Sequence, residues 1–149
     1  MITKSINIIP EAPIAQMVDL ATRAEVLGFD RCWVYDEGLA TRDVYVTLSA
    51  IATATSTLAL GPGITNPYTR HPAQTAAAIA SLDELSGCRG FLGIGAGGSL
   101  TLDPLGIERS RPLTAVRETI EVCRRLWSGA STDLDGAHAT LQSARLGHG

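Results

Sequence analysis

The stretch Gly61-Pro62-Gly63-Ile64-Thr65-Asn66-Pro67-Tyr68-Thr69-Arg70-His71-Pro72 decides how the chain is read. An apolar run (Leu58, Ala59, Leu60) leads into it, so residues 58–64 form a strand candidate. A helical pattern follows from Pro72, where a missing N–H costs nothing because the first turn of a helix leaves that group unpaired. This helix is expected to reach Ser86, with Gly87 as its stop and Thr75, Ala78, Ile79, Leu82 and Leu85 as its buried stripe. Between strand and helix, two X-Pro bonds and polar side chains make a constrained loop. Strand, loop and helix together are one βα unit. In parallel α/β folds, ligands bind at the carboxyl ends of the strands, where such a loop lies. Arg70 and His71 there either serve an anionic group or act only as an ion-pair partner and a helix cap.

The same unit recurs on both sides. Residues 5–9 read as a first strand, closed by Pro10 and Pro13, and a helix starts at Ile14 with Met17, Val18, Ala21 and Ala24 on the same face, stopping at Gly28. Residues 31–35 are a second strand, rich in Trp, Val and Tyr. Asp43 is placed to cap a helix through about residue 54, with Val44, Leu48 and Ile51 inward. Residues 90–94 are a fourth strand. Pro112 opens a fourth long helix, with Leu113, Val116, Ile120, Cys123 and Trp127 on one face and Arg117, Glu118, Glu121, Arg124 and Arg125 on the other, ended by Gly129. Beyond it, Asp135-Gly136 signals a hairpin turn between weak strands.

The order βαβαβαβα implies a parallel sheet with helical crossovers. An open doubly wound sheet and a closed (β/α)8 TIM barrel compete. Four units in residues 1–128 make each about 32 long, and eight such units reach the ~250 residues typical of the barrel. The chain is therefore expected to be the N-terminal half of a (β/α)8 barrel: four βα units in 1–128, then a loop and hairpin region and a truncated end in 129–149.

Composition removes several classes of function. With 45% hydrophobic and only 18% charged residues, the 149-residue chain is neither disordered nor short of core material. A net charge of −3 without a basic patch argues against a nucleic acid or a membrane surface as partner. No signal peptide or bilayer-long apolar run is present, so a cytoplasmic location is expected. Cys32, Cys88 and Cys123 lack C-x-x-C spacing and are expected to be reduced and in or near the core, and Trp33 and Trp127 are read as core. Metal-ligand clusters, the G-x-S-x-G elbow and the P-loop are all missing, so no metal is expected.

Two places remain for chemistry. Gly93-Ile94-Gly95-Ala96-Gly97-Gly98 matches G-x-G-x-x-G, but a dinucleotide site needs a helix at once and an acidic residue about twenty positions on. Here the next helix is expected only at Pro112, which counts against a Rossmann-type NAD-binding protein. The glycines either present backbone N–H groups to a phosphate or only permit a positive φ. Asp36 and Glu37 end the second strand and lie on the same rim, as acid–base groups or as plain turn residues.

Asp36 with Arg42-Asp43-Val44-Tyr45-Val46-Thr47-Leu48, the 60–72 stretch, Leu82-Asp83-Glu84-Leu85-Ser86-Gly87 and Leu92-Gly93-Ile94-Gly95-Ala96-Gly97 together resemble the luciferase-like monooxygenase superfamily. The resemblance covers residues 5–146 and is strongest to its branch of deazaflavin-dependent reductases similar to methylenetetrahydromethanopterin reductase. It implies a (β/α)8 barrel of more than twice this length that binds coenzyme F420, or alternatively FMN, at the C-terminal rim. The implied chemistry is hydride transfer through F420, or FMN-dependent monooxygenation, on a small-molecule substrate. By the same resemblance, Gly63 and Ile64 carry a non-prolyl cis peptide that backs the ring. Asp36 is the candidate catalytic group beside the ring, and Thr65 and Asn66 bond near it. Gly95, Ala96, Gly97 and Gly98 face the phosphate tail. Cys88 stands where the family usually has glycine. Strands five to eight are not in the 149 residues, so the alternative is a truncated, non-catalytic fragment. Its open edges at 5–9 and 91–94 would favour a homo-oligomer or a complementary second half.

Overall fold

In the computed structural model, which describes residues 2–148, three parallel strands lie side by side in chain order: β1 (Ser5–Ile8), β2 (Arg31–Val34) and β3 (Ala59–Pro62). Ser5 sits opposite Arg31, and Arg31 opposite Ala59. A helix follows each strand: α1 (Ile14–Val26), α2 (Val44–Ala54) and α3 (Pro72–Ser86). The strand order never reverses, which rules out the crossover that a Rossmann site needs.

Alternation along the strands separates two faces. Ile8, Cys32, Val34 and Leu60 turn toward the helices and pack with Met17, Ala21, Leu48, Ile51 and Ile79 in one core. On the other face the Trp33 and Phe91 rings approach to 4.4 Å between centroids. Gly61 passes beneath Phe91 so closely that a Cβ there would fall 2.1 Å from the Phe91 carbonyl oxygen.

The fourth strand expected at 90–94 is present only in part. This segment runs parallel to β3, joined by bridges at Leu60–Gly90 and Thr65–Ile94. Leu60 N–H donates to the Arg89 carbonyl and Phe91 N–H to that of Leu60; Thr65 N–H then donates to Gly93 and Gly95 N–H to Thr65. The ladder breaks between these pairs because Pro62 has no N–H to give. The register also slips there: five steps from Leu60 to Thr65 match four from Gly90 to Ile94, as in a β-bulge.

Helix ends follow the sequence signals. The Asp43 carboxylate accepts from the N–H groups of Tyr45 and Val46, both at 2.9 Å. His71 Nδ1 accepts from Ala73 N–H at 3.2 Å, and Gly87 closes α3 at φ +70°. Arg42 donates to the Glu11 carbonyl at 2.5 Å, and Arg70 pairs with Asp43.

Four further expectations need correction. Leu85 is 50% exposed, and Ala76 and Ser86 take its place in the buried stripe of α3. On α5 (Pro112–Trp127) the buried face is Ala115, Glu118, Thr119, Val122, Cys123 and Leu126, so of the expected set only Cys123 is fully inside. Leu113 is 87% and Trp127 40% exposed, the indole N–H of Trp127 donating to the Ala76 carbonyl at 3.0 Å. That face packs through Val122, Cys123 and Leu126 against Ala76 and Leu141, and the Glu118 carboxylate on it is tied to a distant turn. Cys88 is exposed, at φ +64°, while Cys32 and Cys123 are buried as expected, burial pushing both thiols up to about 12. Finally, a one-turn helix, α4 (Ser99–Leu102), opens directly after Gly98, where a long loop to Pro112 was expected.

The hairpin forms as its turn signal indicates. β4 (Thr132–Asp135) and β5 (Thr140–Ala144) are antiparallel, and Leu141 joins Ala76, Val122, Cys123 and Leu126 in a second core between α3 and α5.

Candidate functional site

The carboxyl ends of β2, β3 and the fourth segment form one rim, and Thr65 is its hub. Its hydroxyl donates to Asp36 Oδ2 at 2.6 Å, while its backbone pairs with Gly93 and Gly95 at 3.0 Å each. Asp36, half-buried, is thereby fixed to a residue that is itself 1% exposed. Asn66 is also buried. Its Oδ1 accepts from Tyr68 N–H (2.9 Å), Thr69 N–H (3.0 Å) and the Thr69 hydroxyl (3.2 Å), folding the 66–69 turn. The Asn66 amide nitrogen donates to no described residue.

The Gly63–Ile64 peptide is cis. The Ile64 side chain is 49% exposed on the rim and lies over Gly95, where a Cβ would fall 2.1 Å from Ile64 Cδ1. Gly97, at φ +72°, passes Asn66 closely, a Cβ there falling 3.2 Å from Asn66 Cβ. Among the described residues, the backbone N–H groups of Ala96, Gly97 and Gly98 meet no protein acceptor, and Gly98 stands open at the start of α4. All nine candidate residues (Asp36, Gly63, Ile64, Thr65, Asn66, Gly95, Ala96, Gly97 and Gly98) thus share one rim.

Arg70 and His71 are occupied by the plainer of their two roles. Arg70 reaches Asp43 at 3.5 Å and lies 4.6 Å above the Tyr45 ring; His71 caps α3. Several neighbours carried no local signal. Arg109 donates to the Gly97 carbonyl at 2.9 Å, and the Thr101 hydroxyl reaches Glu37 at 3.3 Å. Tyr45 lies behind the rim with its hydroxyl buried, as does Thr75, and neither oxygen has a hydrogen-bond partner among the described residues. Burial pushes the Tyr45 hydroxyl up to about 12; Arg70 opposes that rise and Asp36 adds to it.

No group of metal-ligating side chains occurs among the described residues, and none of their helices is long and apolar enough to cross a membrane. A groove of about 810 Å³ lies at the other end of the strands, between α3, α5 and the segment after β5, and includes Cys88, Gly90, Trp127 and Leu146. It contains none of the rim residues.

Parallel strands in chain order, a helix after each and a candidate site at the strands' carboxyl ends define one half of a (β/α)8 barrel. The chain belongs to the luciferase-like monooxygenase family, whose model matches residues 3–147. It is 42% identical over 97% of its length to 5,10-methylenetetrahydromethanopterin reductase of Methanolobus tindarius, covering 44% of that protein. It is 31% identical over 88% of its length to an F420-dependent glucose-6-phosphate dehydrogenase of Kineococcus radiotolerans, covering 42% of it. The solved coenzyme F420-dependent tetrahydromethanopterin reductase of Methanopyrus kandleri superposes with a TM-score of 0.92 at 32% identity, over 97% of this chain and 46% of that one. The chain spans about half the length of the relatives it matches.

Proposed function

We propose that this chain forms one wall of a deazaflavin site, for coenzyme F420 with FMN as the alternative, in an oxidoreductase acting by hydride transfer on a small-molecule substrate. The observation that carries this reading is the convergence at Thr65. One buried residue ties Asp36 to the glycine segment while Ile64 stays exposed above Gly95.

The residues fit such a group. A flat conjugated ring needs an apolar surface, and Ile64 is a half-exposed aliphatic side chain on the rim. A phosphate needs uncommitted N–H donors, and Ala96, Gly97 and Gly98 offer theirs beside the start of α4. When bound, the coenzyme supplies the hydride chemistry; the protein supplies position, polarity and shelter from water. Ile64 supports one ring face. The Asn66 amide donates to a ring oxygen or nitrogen. The Asp36 carboxylate, oriented by the Thr65 hydroxyl, accepts from a ring or substrate N–H or O–H and is the group placed to hold a proton.

A second reading rests on chain length. Because the chain spans under half of the reductase and of the dehydrogenase named above, it is on this reading a non-catalytic fragment, with its open edges left for a complementary second half or another copy. The four βα units in residues 1–128 are then the partial barrel, 129–149 an appended hairpin region, and the cytoplasm the expected place of action.

The test is a fluorescence titration of the chain with F420, and separately with FMN, using wild type, Thr65→Val and Asp36→Asn. F420 binding weakened about tenfold in both variants, or about 1.4 kcal/mol, supports the reading. Wild-type binding unchanged in both variants, or no binding of either cofactor, refutes it.

A further inference from the structure

The β4–β5 hairpin lies outside the βα repeat, and the turn between its strands reaches back to the rim. His138, in that turn, donates from Nε2 to the Pro67 carbonyl at 2.9 Å, and its ring meets Tyr68 edge-on with centroids 5.3 Å apart. Pro67 and Tyr68 belong to the turn that Asn66 folds around its own Oδ1. The Tyr68 hydroxyl donates onward to the Ser110 carbonyl at 2.8 Å, just before α5.

The His138 end is itself firmly seated. The Glu118 carboxylate, buried on α5, accepts from the N–H groups of Ala137 (3.1 Å), His138 (2.9 Å) and Ala139 (3.2 Å). Burial alone would raise the Glu118 carboxyl, but these three N–H groups and the charge of His138 outweigh it and hold the group below the usual carboxylate range. Gly136 approaches so closely that a Cβ there would fall 2.3 Å from Glu118 Oε2 and 2.8 Å from the Ala139 carbonyl oxygen, so a side chain at that position would displace the anchored carboxylate or the turn. A charged anchor, a three-residue turn and one imidazole thus connect the middle of α5 to the loop that carries Thr65 and Asn66.

We propose that the hairpin is a clamp on the rim and that His138 is a positioning residue for the cofactor site. By fixing the Pro67 carbonyl and the Tyr68 ring, it holds the 66–69 turn in the form that leaves the Asn66 amide free and Thr65 bonded to Asp36. The idea rests on the proposed cofactor site for its consequence, but its structural core stands without any ligand. His138 touches neither reacting atoms nor cofactor and acts only through the turn.

The experiment compares wild type, His138→Phe, His138→Gln and Glu118→Gln. Amide hydrogen exchange of Tyr68 and Thr69 is measured by NMR without ligand, and F420 affinity is then measured by titration. His138→Phe is expected to speed exchange of these two amides at least about tenfold while the amides of α2 and β2 stay unchanged. His138→Gln, whose side-chain amide can again donate to Pro67, is expected to restore most of the protection. Glu118→Gln, which leaves His138 in place but loosens its seat, is expected to act in the same direction as His138→Phe. F420 affinity is expected to follow the same ranking. Unchanged protection in both His138→Phe and Glu118→Gln overturns the clamp. A loss of protection in His138→Gln as large as in His138→Phe also overturns it, because the donated hydrogen bond would then not be what holds the turn. Ranked protection in a chain whose wild type retains no F420 upholds the clamp and overturns the cofactor reading.

Discussion

Gly95→Ala separates the fold from the site. A Cβ at Gly95 would lie 2.1 Å from Ile64 Cδ1, against the 3.5–4.0 Å of an ordinary carbon contact. The obstacle is the far end of a side chain that is 49% exposed, so Ile64 can swing clear by more than about 1 Å. The cost is that of leaving a preferred rotamer, about 1 kcal/mol, equivalent to a Tm loss of ~2–4 °C in a chain of this size. Gly61→Ala is the control. Its Cβ would meet the Phe91 carbonyl oxygen at 2.1 Å and the Phe91 ring at 2.6 Å, so strand and ring must both move. Overpacking of that kind costs about 1–3 kcal/mol or more, and Tm is expected to fall by ~2–12 °C. Differential scanning fluorimetry reads the stabilities and F420 fluorescence reads the site. Gly95→Ala is expected to stay folded yet lose cofactor affinity about tenfold, because Ile64 no longer presents the same surface. Wild-type affinity in Gly95→Ala would remove Ile64 from the site, and a larger melting loss than in Gly61→Ala would refute the packing argument.

Other expectations follow from the polar contacts. Burial raises the Glu25 carboxyl, but the N–H groups of Thr57, Leu58 and Ser56 and the Thr57 hydroxyl outweigh it and lower the pKa from 4.5 to about 2. The group's contribution to stability is therefore complete above about pH 4.5 and is lost as pH falls toward 2; Glu25→Gln should lower Tm by an amount worth about 2 kcal/mol at pH 7, after allowance for solvent screening, and much less at pH 2. Arg89 donates to the carbonyls of Ala52, Thr55, Leu58 and Ser86 and to the Thr55 hydroxyl, joining the end of α2 to the fourth segment. Arg89→Lys cannot reproduce that fork and should cost about 2–3 kcal/mol, measured by urea unfolding; a wild-type midpoint would contradict it. A thiol reagent should modify Cys88 in the folded chain and reach Cys32 and Cys123 only after unfolding, which peptide mapping would show.

How much of this is legible in the sequence depends on whether a feature is set locally. Helix α3 lies where Pro72, His71 and Gly87 place it, because each acts within one turn of the chain. The rim positions of Asp36, Thr65 and Gly95 follow from strand ends alone, although the 2.6 Å bond from Thr65 to Asp36 spans 29 residues and has no sequence signal. The face of α5 departs from its pattern because Leu113, Val116 and Ile120 form a regular apolar stripe, while the face actually buried contains a glutamate. Only the turn at 137–139, some twenty residues away, makes burying Glu118 favourable. The fourth strand falls short of its pattern for a related reason: its own residues suit a strand, but its neighbour loses a donor at Pro62. The contact of His138 with Pro67 has no sequence signal at all, since the two lie 71 residues apart.

The central claim, that the rim formed by Asp36, residues 63–66 and residues 95–98 receives a deazaflavin, is tested most directly by adding F420 to the isotope-labelled chain. Amide chemical shifts should then be followed through the titration. Saturable shifts concentrated at Asp36, Ile64, Thr65, Asn66 and the 95–98 segment are the predicted result. Shifts gathered instead around Cys88, Trp127 and Leu146 in the groove at the opposite end, or no saturable shift at all, would contradict it.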